Sequence, residues 1–206
     1  MAFNRNWVLL ALLAVLGTVA GAWVGIASRA QPPQLQSGTL YPAPRPLPPF
    51  ALRSADGRPI ANADLNGHPT ILFFGFTNCP DVCPTTLALI AEVQRRQPVP
   101  GLQIWFVSVD PRRDTPQRLA AYLHGFAAAI TGVTGEAKPL ADFATALGIA
   151  VAEVALPGGD YTVDHTAALL VLNDRGAEVA VFTPPHERDA LVRDLQALRP
   201  LLSSGG

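Results

Sequence analysis

The two cysteines of this 206-residue chain, Cys79 and Cys83, are four residues apart. The apolar run of residues 71–76 before them predicts a buried strand, and Pro84 after them suits the first position of a helix. Both thiols are therefore expected in a strand-to-helix turn, where free backbone N–H groups and the helix dipole favour thiolate. A small structural disulfide is the alternative, but this environment favours functional thiols.

The spacing of the pair permits two kinds of chemistry. Residues four apart stand one helical turn apart, so both sulfurs face the same side and could close a disulfide or hold one metal ion. Two thiolates leave a metal short of ligands, so a metal site would need a third ligand, for which the chain offers four histidines. His165 is the distinctive one, because it ends a hairpin arm and precedes a buried strand. The other three, His68, His124 and His186, are interpreted as surface or capping residues.

The elements that must position these side chains follow an α/β order. A cysteine pair after a buried strand and at a helix start is a thioredoxin-like arrangement, although thioredoxins have two residues between the cysteines and this chain has three. We predict a mixed central sheet flanked by helices, with an inserted β-hairpin. The predicted strands are 70–76, 102–109, 166–172 and 178–182; the helices are 84–96, 116–126, 139–147 and 187–198; hairpin turns fall at 55–58 and 157–160.

Two N-terminal segments precede this domain. Residues 7–27 are uncharged over about 20 positions, enough to cross a hydrocarbon core of roughly 30 Å, so we predict a transmembrane anchor after a cytoplasmic N-terminus of residues 1–6. A cleaved signal peptide, with a site at Ala20-Gly21-Ala22, is the alternative. Residues 28–49 are rich in proline and predict an extended polyproline II linker. The globular domain is then expected at residues 50–202, with a short tail at 203–206.

The charge balance and the predicted anchor indicate the partners and the location of the protein. The chain has 15 basic and 16 acidic residues, without a basic cluster, so no nucleic-acid partner is predicted. The anchor instead predicts a single-pass protein of the bacterial inner membrane, with its domain on the periplasmic side.

Three stretches of the sequence resemble the Sco/SenC family of copper chaperones, in the order and separation typical of that family. The resemblance covers nearly all of residues 50–202. The stretches are centred on Cys79-Pro80-Asp81-Val82-Cys83-Pro84, on Ser108-Val109-Asp110-Pro111-Arg112-Arg113-Asp114-Thr115-Pro116 and on Val163-Asp164-His165-Thr166.

The resemblance implies that Cys79, Cys83 and His165 bind one copper ion per monomer, as Cu(I) or Cu(II). Two thiolates and an imidazole suit soft Cu(I), whereas zinc usually takes a fourth ligand. Asp164 and Asp81 are candidates to support these ligands, and Asp164 could orient the imidazole. We interpret Asp110, Arg113 and Asp114 as turn structure.

The family's role implies an assembly factor and not a metabolic enzyme. Copper would come from an unidentified donor and pass to the binuclear copper centre of cytochrome c oxidase subunit II, or the thiols of that centre would be kept reduced. A thiol–disulfide oxidoreductase or redox sensor that uses the same two cysteines without metal stays open. A peroxiredoxin-like peroxidase fits less well. His165 separates these alternatives, because thiol exchange has no need of a third soft ligand.

Overall fold

The computed structural model describes residue 7 and residues 13–18, 32–126 and 129–203. The chain divides into two compact units, one ending at Pro33 and one beginning at Gln34. In the first unit residues 13–18 are helical, and most of the predicted anchor, residues 7–27, lies outside the described residues. Within the described ranges no helix is both long enough and apolar enough to cross a membrane.

The second unit is an α/β domain whose elements follow the predicted order. Its strands are β1 Gly38–Pro46, β2 Ala51–Ser54, β3 Pro59–Ala61, β4 Thr70–Gly75, β5 Gln103–Ser108, β6 Ile130–Thr134, β7 Val151–Ala155, β8 Tyr161–His165, β9 Leu169–Leu172 and β10 Ala177–Phe182. Its helices are α1 Val82–Arg95, α2 Pro116–Leu123, α3 Ala137–Ala146 and α4 Arg188–Leu202, with a 3-10 turn at Asn62–Leu65.

Eight strands form one mixed sheet in the order β1-β10-β9-β4-β5-β6-β2-β3, and β7 pairs with β8 in a separate hairpin. Strand β4 lies at the centre, parallel to β5 and antiparallel to β9. The central strands are buried on both faces, which explains the continuous apolar runs in their sequences. The prediction of a mixed sheet flanked by helices with an inserted hairpin is thereby confirmed.

The two faces of β4 contribute to two separate cores. Ile71 and Phe73 pack in a core with residues of α1, α2 and α4, whereas Leu72 and Phe74 pack in a core with α3. Alternate residues of a strand point to opposite faces, so one strand supplies both layers. Helix α2 begins as predicted, with the Thr115 side chain accepting a hydrogen bond from the Arg118 N–H.

Strand β6 was not predicted. It is five residues long and contains Gly132. A side chain at Gly132 would lie 2.7 Å from Leu123 of α2, so the glycine allows the helix to pack closely on the strand. A short strand interrupted by glycine has little of the apolar pattern on which strand prediction depends.

The structure also differs from the predicted linker at residues 28–49. Residues Gly38–Pro46 form the edge strand β1, paired antiparallel with β10 and irregular between Leu40 and Arg45. An edge strand tolerates proline, because one side of its backbone needs no partner, and a bulge removes further pairing. An extended proline-rich segment can therefore join a sheet when an edge is free.

Strand β1 is fixed at its start by the buried carboxylate of Asp194 in α4. This side chain accepts hydrogen bonds from the backbone N–H groups of Gln36, at 2.7 Å, and Ser37, at 2.8 Å. Leu47 and Phe50, beyond the other end of the strand, are buried in the α3 core. The segment from Gln36 is thus part of the folded domain rather than a spacer.

Candidate metal centre

Cys79 and Cys83 lie in the connection from β4 to α1, as predicted. Helix α1 begins at Val82, so Cys83 falls in its first turn and Cys79 in the preceding loop. The Cys83 backbone N–H donates a hydrogen bond to the Cys79 sulfur at 3.4 Å. N–H groups of the first turn have no partner within the helix, so a sulfur at this place satisfies one of them. Both cysteines are free thiols, Cys79 half-buried and Cys83 buried.

A glycine at the end of β4 allows the Cys83 sulfur to reach this position. A Cβ atom at Gly75 would lie 3.0 Å from that sulfur and 2.6 Å from the ring of Phe106. Any larger residue would displace one or both groups.

The loop that carries Cys79 is held in place by Asp114, whose side chain is completely buried beside it. Its carboxylate accepts hydrogen bonds from the hydroxyl of Thr77, at 2.6 Å, from the Thr77 backbone N–H and from the hydroxyl of Ser108, at 2.7 Å. Arg118 adds hydrogen bonds to Thr77 and to the side chain of Asn78. Thr77 is two residues before Cys79, so these contacts determine the path of the loop.

Asp114 therefore supports the cysteine loop from inside the domain, whereas its sequence predicts only a turn residue. The available signal was an acidic residue four positions after Asp110, in a motif that follows a buried strand. Because β5 is the parallel neighbour of β4, an acid after β5 can contact the loop that follows β4.

His165 is the last residue of β8, and its imidazole reaches the cysteines. Nε2 lies 3.6 Å from the Cys83 sulfur, although the two residues are 82 positions apart in the chain. Nδ1 lies 3.2 Å from the carbonyl oxygen of Thr166. A carbonyl only accepts, so this hydrogen bond places the proton on Nδ1 and leaves the Nε2 lone pair directed toward the sulfur. The edge of Phe76 packs against the ring, with centroids 6.0 Å apart.

Burial controls the ionisation of both side chains. It lowers the pKa of His165 below its ordinary value, which favours the neutral imidazole that binds metals. It also raises the pKa of the Cys83 thiol strongly, with smaller contributions from the neighbouring Cys79 and Asp114. The expectation of a thiolate at Cys83 is therefore wrong for the metal-free protein, because loss of hydration outweighs the helix N-terminus.

Neither of the two predicted supporting carboxylates is hydrogen-bonded to Cys79, Cys83 or His165. The exposed Asp81 is at the N-cap position of α1, and its carboxylate accepts a hydrogen bond from the Thr85 hydroxyl at 3.3 Å. Asp164 precedes His165 in β8 and so points to the opposite face of the strand. The Thr166 carbonyl, and not Asp164, is the partner of the imidazole Nδ1.

The other three histidines have different partners from His165. His124 is exposed at the C-cap of α2, as expected for a capping residue. His186 is half-buried, with Nε2 3.0 Å from the Ala167 carbonyl oxygen. His68 is exposed before β4.

The donor set can be tested against a metal ion. The 3.6 Å separation between Cys83 Sγ and His165 Nε2 is shorter than a metal–sulfur bond and a metal–nitrogen bond placed end to end, about 4.3 Å, so both atoms could bind one ion. Among the described residues no three Cys, His, Asp or Glu side chains already form a complete metal-binding group. Two donors are thus close enough to bind one ion, and the Cys79 sulfur lies nearby, 3.4 Å from the Cys83 backbone nitrogen.

Comparison with known proteins places this arrangement in a family. The model of the family described as SCO1/SenC matches residues 41–199. The putative copper-binding protein of Stutzerimonas stutzeri is 35% identical over 159 residues, which are 76% of this chain and 78% of that protein. The human mitochondrial protein SCO2 homolog is 32% identical over 200 residues, which are 90% of this chain and 74% of that protein.

A solved structure shares the fold. Bradyrhizobium japonicum ScoI with copper bound is 35% identical, with a TM-score of 0.67, over 73% of this chain and 98% of that one. A family match that spans most of the chain, together with this fold, shows that the chain belongs to the SCO1/SenC family.

Proposed function

We propose that this protein is a copper chaperone in which Cys79, Cys83 and His165 bind one copper ion per monomer. The observation that carries the proposal is the 3.6 Å separation between Cys83 Sγ and His165 Nε2. The fold brings these two soft donors together from distant parts of the chain. Two similar proteins support the choice of metal, since one is named a copper-binding protein and the other was solved with copper bound.

The ligand chemistry favours copper over zinc. Two thiolates and one neutral imidazole satisfy Cu(I) in a trigonal site, and the same ligands accept Cu(II), whereas structural zinc sites take four ligands. A three-ligand site leaves one side of the ion open to a ligand from another protein, which transfer requires. Cys79 is the more exposed of the two thiols, so exchange with an acceptor would begin on its side.

We propose cytochrome c oxidase subunit II as the recipient of the copper, or of the reducing equivalents of the two thiols, with a separate protein as copper donor. The family resemblance supports this role. The 20-residue uncharged segment near the N-terminus supports attachment to the inner membrane, with the domain on the periplasmic side beside a membrane-bound recipient.

The alternative is a thiol–disulfide oxidoreductase or redox sensor that uses Cys79 and Cys83 without metal. Both thiols are free and adjacent, and the buried Cys83 resembles the protected partner of such a pair. This chemistry needs no imidazole 3.6 Å from the sulfur, so His165 distinguishes the two functions.

The experiment is competition binding of Cu(I) and Cu(II) to the wild-type protein and His165→Ala, with disulfide-reductase activity measured in parallel. We expect Cu(II) affinity to fall at least about tenfold and Cu(I) affinity to fall less, because imidazole contributes more to the harder ion. Thiol–disulfide exchange should persist.

His124→Ala is the matched control, since this exposed histidine lies at the C-cap of α2 and should leave all three measurements unchanged. Wild-type affinity of His165→Ala for both ions would remove His165 from the ligand set and favour the oxidoreductase.

A further inference from the structure

The hairpin of β7 and β8, which carries His165, is attached to the domain at few points. It forms a sheet of its own, and all five residues of β7 are exposed. A two-stranded hairpin is only marginally stable in water. The place where His165 lies must therefore be determined by contacts that hold β8 against the domain.

The inward face of β8 is formed by Tyr161, Val163 and His165, because alternate residues of a strand share one face. Val163, in the middle, is 4% exposed and belongs to the core beside α1, α2 and α4. His165 lies at one end of this face and Tyr161 at the other. A contact at Tyr161 can thus fix the angle at which the strand presents His165.

Tyr161 is bonded to two residues of the connection between β5 and α2. Its hydroxyl donates a hydrogen bond to Asp110 Oδ1 at 2.7 Å, and the Asp110 side chain is almost completely buried. Arg113 donates from Nε to the other oxygen of Asp110 and from Nη1 to the Tyr161 carbonyl oxygen, at 2.8 Å. Both oxygens of the buried Asp110 carboxylate accept a hydrogen bond, and each of the three residues is hydrogen-bonded to the other two.

Stacking strengthens the same contact. The guanidinium carbon of Arg113 lies 3.7 Å from the centre of the Tyr161 ring, and that of Arg112 lies 4.3 Å from it. The Arg113 guanidinium also lies 6.0 Å from the centre of the Phe76 ring, whose edge packs against the imidazole of His165. The three-residue group therefore reaches the histidine by two routes, along β8 and through Phe76.

We propose that Asp110, Arg113 and Tyr161 form a latch that positions His165 beside Cys83 and so determines how the imidazole takes part in copper binding. They are positioning residues and do not bind the metal themselves. The inference rests on the proposed function in one respect, that His165 is a copper ligand.

The test variant is Tyr161→Phe, which keeps the ring that the two arginines stack on and removes the hydroxyl that bonds Asp110. We expect Cu(II) affinity to fall about tenfold, as for loss of a residue that orients a metal-bound histidine, with a smaller effect on Cu(I). The Cu(II) electron paramagnetic resonance and thiolate-to-copper absorption spectra should shift toward those of His165→Ala.

A double-mutant cycle separates positioning from general stability. In the His165→Ala background, Tyr161→Phe should have no further effect on copper affinity, because the latch acts through the missing imidazole. An equal loss in both backgrounds, or no loss in the wild-type background, overturns the proposal. Val154→Thr is the control, since it changes an exposed side chain on the same hairpin that takes no part in the latch, and it should change nothing.

A measurement on the copper-free protein tests whether the latch positions His165, whether or not His165 binds copper. In the reduced apoprotein, Tyr161→Phe should shift the imidazole resonances of His165 and speed amide exchange at Thr162 and Asp164, whose amides face β7 in the hydrogen-bonded pairs, while Val154→Thr should not. Unchanged resonances and exchange overturn the latch. Wild-type copper affinity in His165→Ala contradicts the ligand set, and these apoprotein spectra then still decide the latch.

Discussion

Burial favours the uncharged form of both Cys83 and His165, the two adjacent side chains of the proposed site. The pKa of the Cys83 thiol is raised and that of the His165 imidazole is lowered. The metal-free centre is thus a thiol beside a neutral imidazole, and copper must displace the thiol proton to bind. Such a site resists unwanted thiolate reactions until a metal arrives, because only the thiolate is a strong nucleophile.

We therefore expect the affinity for Cu(I) to rise with pH from about 7 to 9. Each proton released on binding makes the apparent affinity about tenfold higher per pH unit. Because burial raises the pKa of Cys83, this increase should continue past the range where an ordinary thiol ionises, near pH 8.5. The lowered pKa of His165 leaves that group neutral throughout and adds nothing to the slope.

The measurement is anaerobic competition of the reduced protein with a Cu(I) chelator, corrected for protonation of the chelator. Cys83→Ser, which has no titrating thiol at this position, should show a smaller pH slope. An equal slope in the wild-type protein and Cys83→Ser would show that Cys83 is already a thiolate before copper binds.

The edge strand β1 completes the sheet that supports the centre. The ring of Phe182 in β10 is covered by Gly38, where a side chain would lie 2.5 Å away from that ring. The buried Asp194 carboxylate holds the segment before the strand. Without β1, the backbone of β10 would present an unpaired edge and an exposed aromatic ring.

We expect a protein that begins at Gln34 to be more stable than one that begins at Phe50, where the sequence had placed the domain boundary. The shorter protein loses β1 and Leu47 and exposes Phe182, so its free energy of unfolding should be lower by about 3 kcal/mol or more. Urea unfolding checks this, with light scattering to detect association through the open edge. Equal stability of the two proteins would show that β1 is only a spacer.

The whole molecule places its centre at one end of the sheet, where β4 leads into α1 and the hairpin packs against the connection from β5 to α2. The donors are supplied by the β4–α1 connection and by β8, while the connection from β5 to α2 supplies the buried acids that hold both.

For the full-length protein in bacterial cells we expect tight attachment to the inner membrane, because about 20 uncharged residues suffice to span the hydrocarbon core. The protein should stay in the membrane pellet after alkaline extraction, whereas a protein that begins at Gln34 and lacks this segment should be extracted. A shortened protein in the periplasmic fraction would show instead that the segment is a cleaved signal.

Much of the fold could be predicted because its determinants are local. The apolar run of β4, the helix start near Pro84 and the Thr115 cap of α2 are patterns of a few neighbouring residues each, and the first two place Cys79 and Cys83 where β4 leads into α1. Strand β1 could not be predicted, because a proline-rich segment becomes a strand only where a sheet has an unpaired edge strand such as β10.

The centre itself depended on tertiary structure. The distance from Cys83 to His165 across 82 residues was expected only through a family resemblance, since no local pattern relates the two. The raised pKa of Cys83 could not be predicted from its place at a helix start, because burial depends on side chains from other elements. Asp110 and Asp114 look like turn residues in the sequence; only the fold, which buries them under β8 and the cysteine loop, makes them supports of the site.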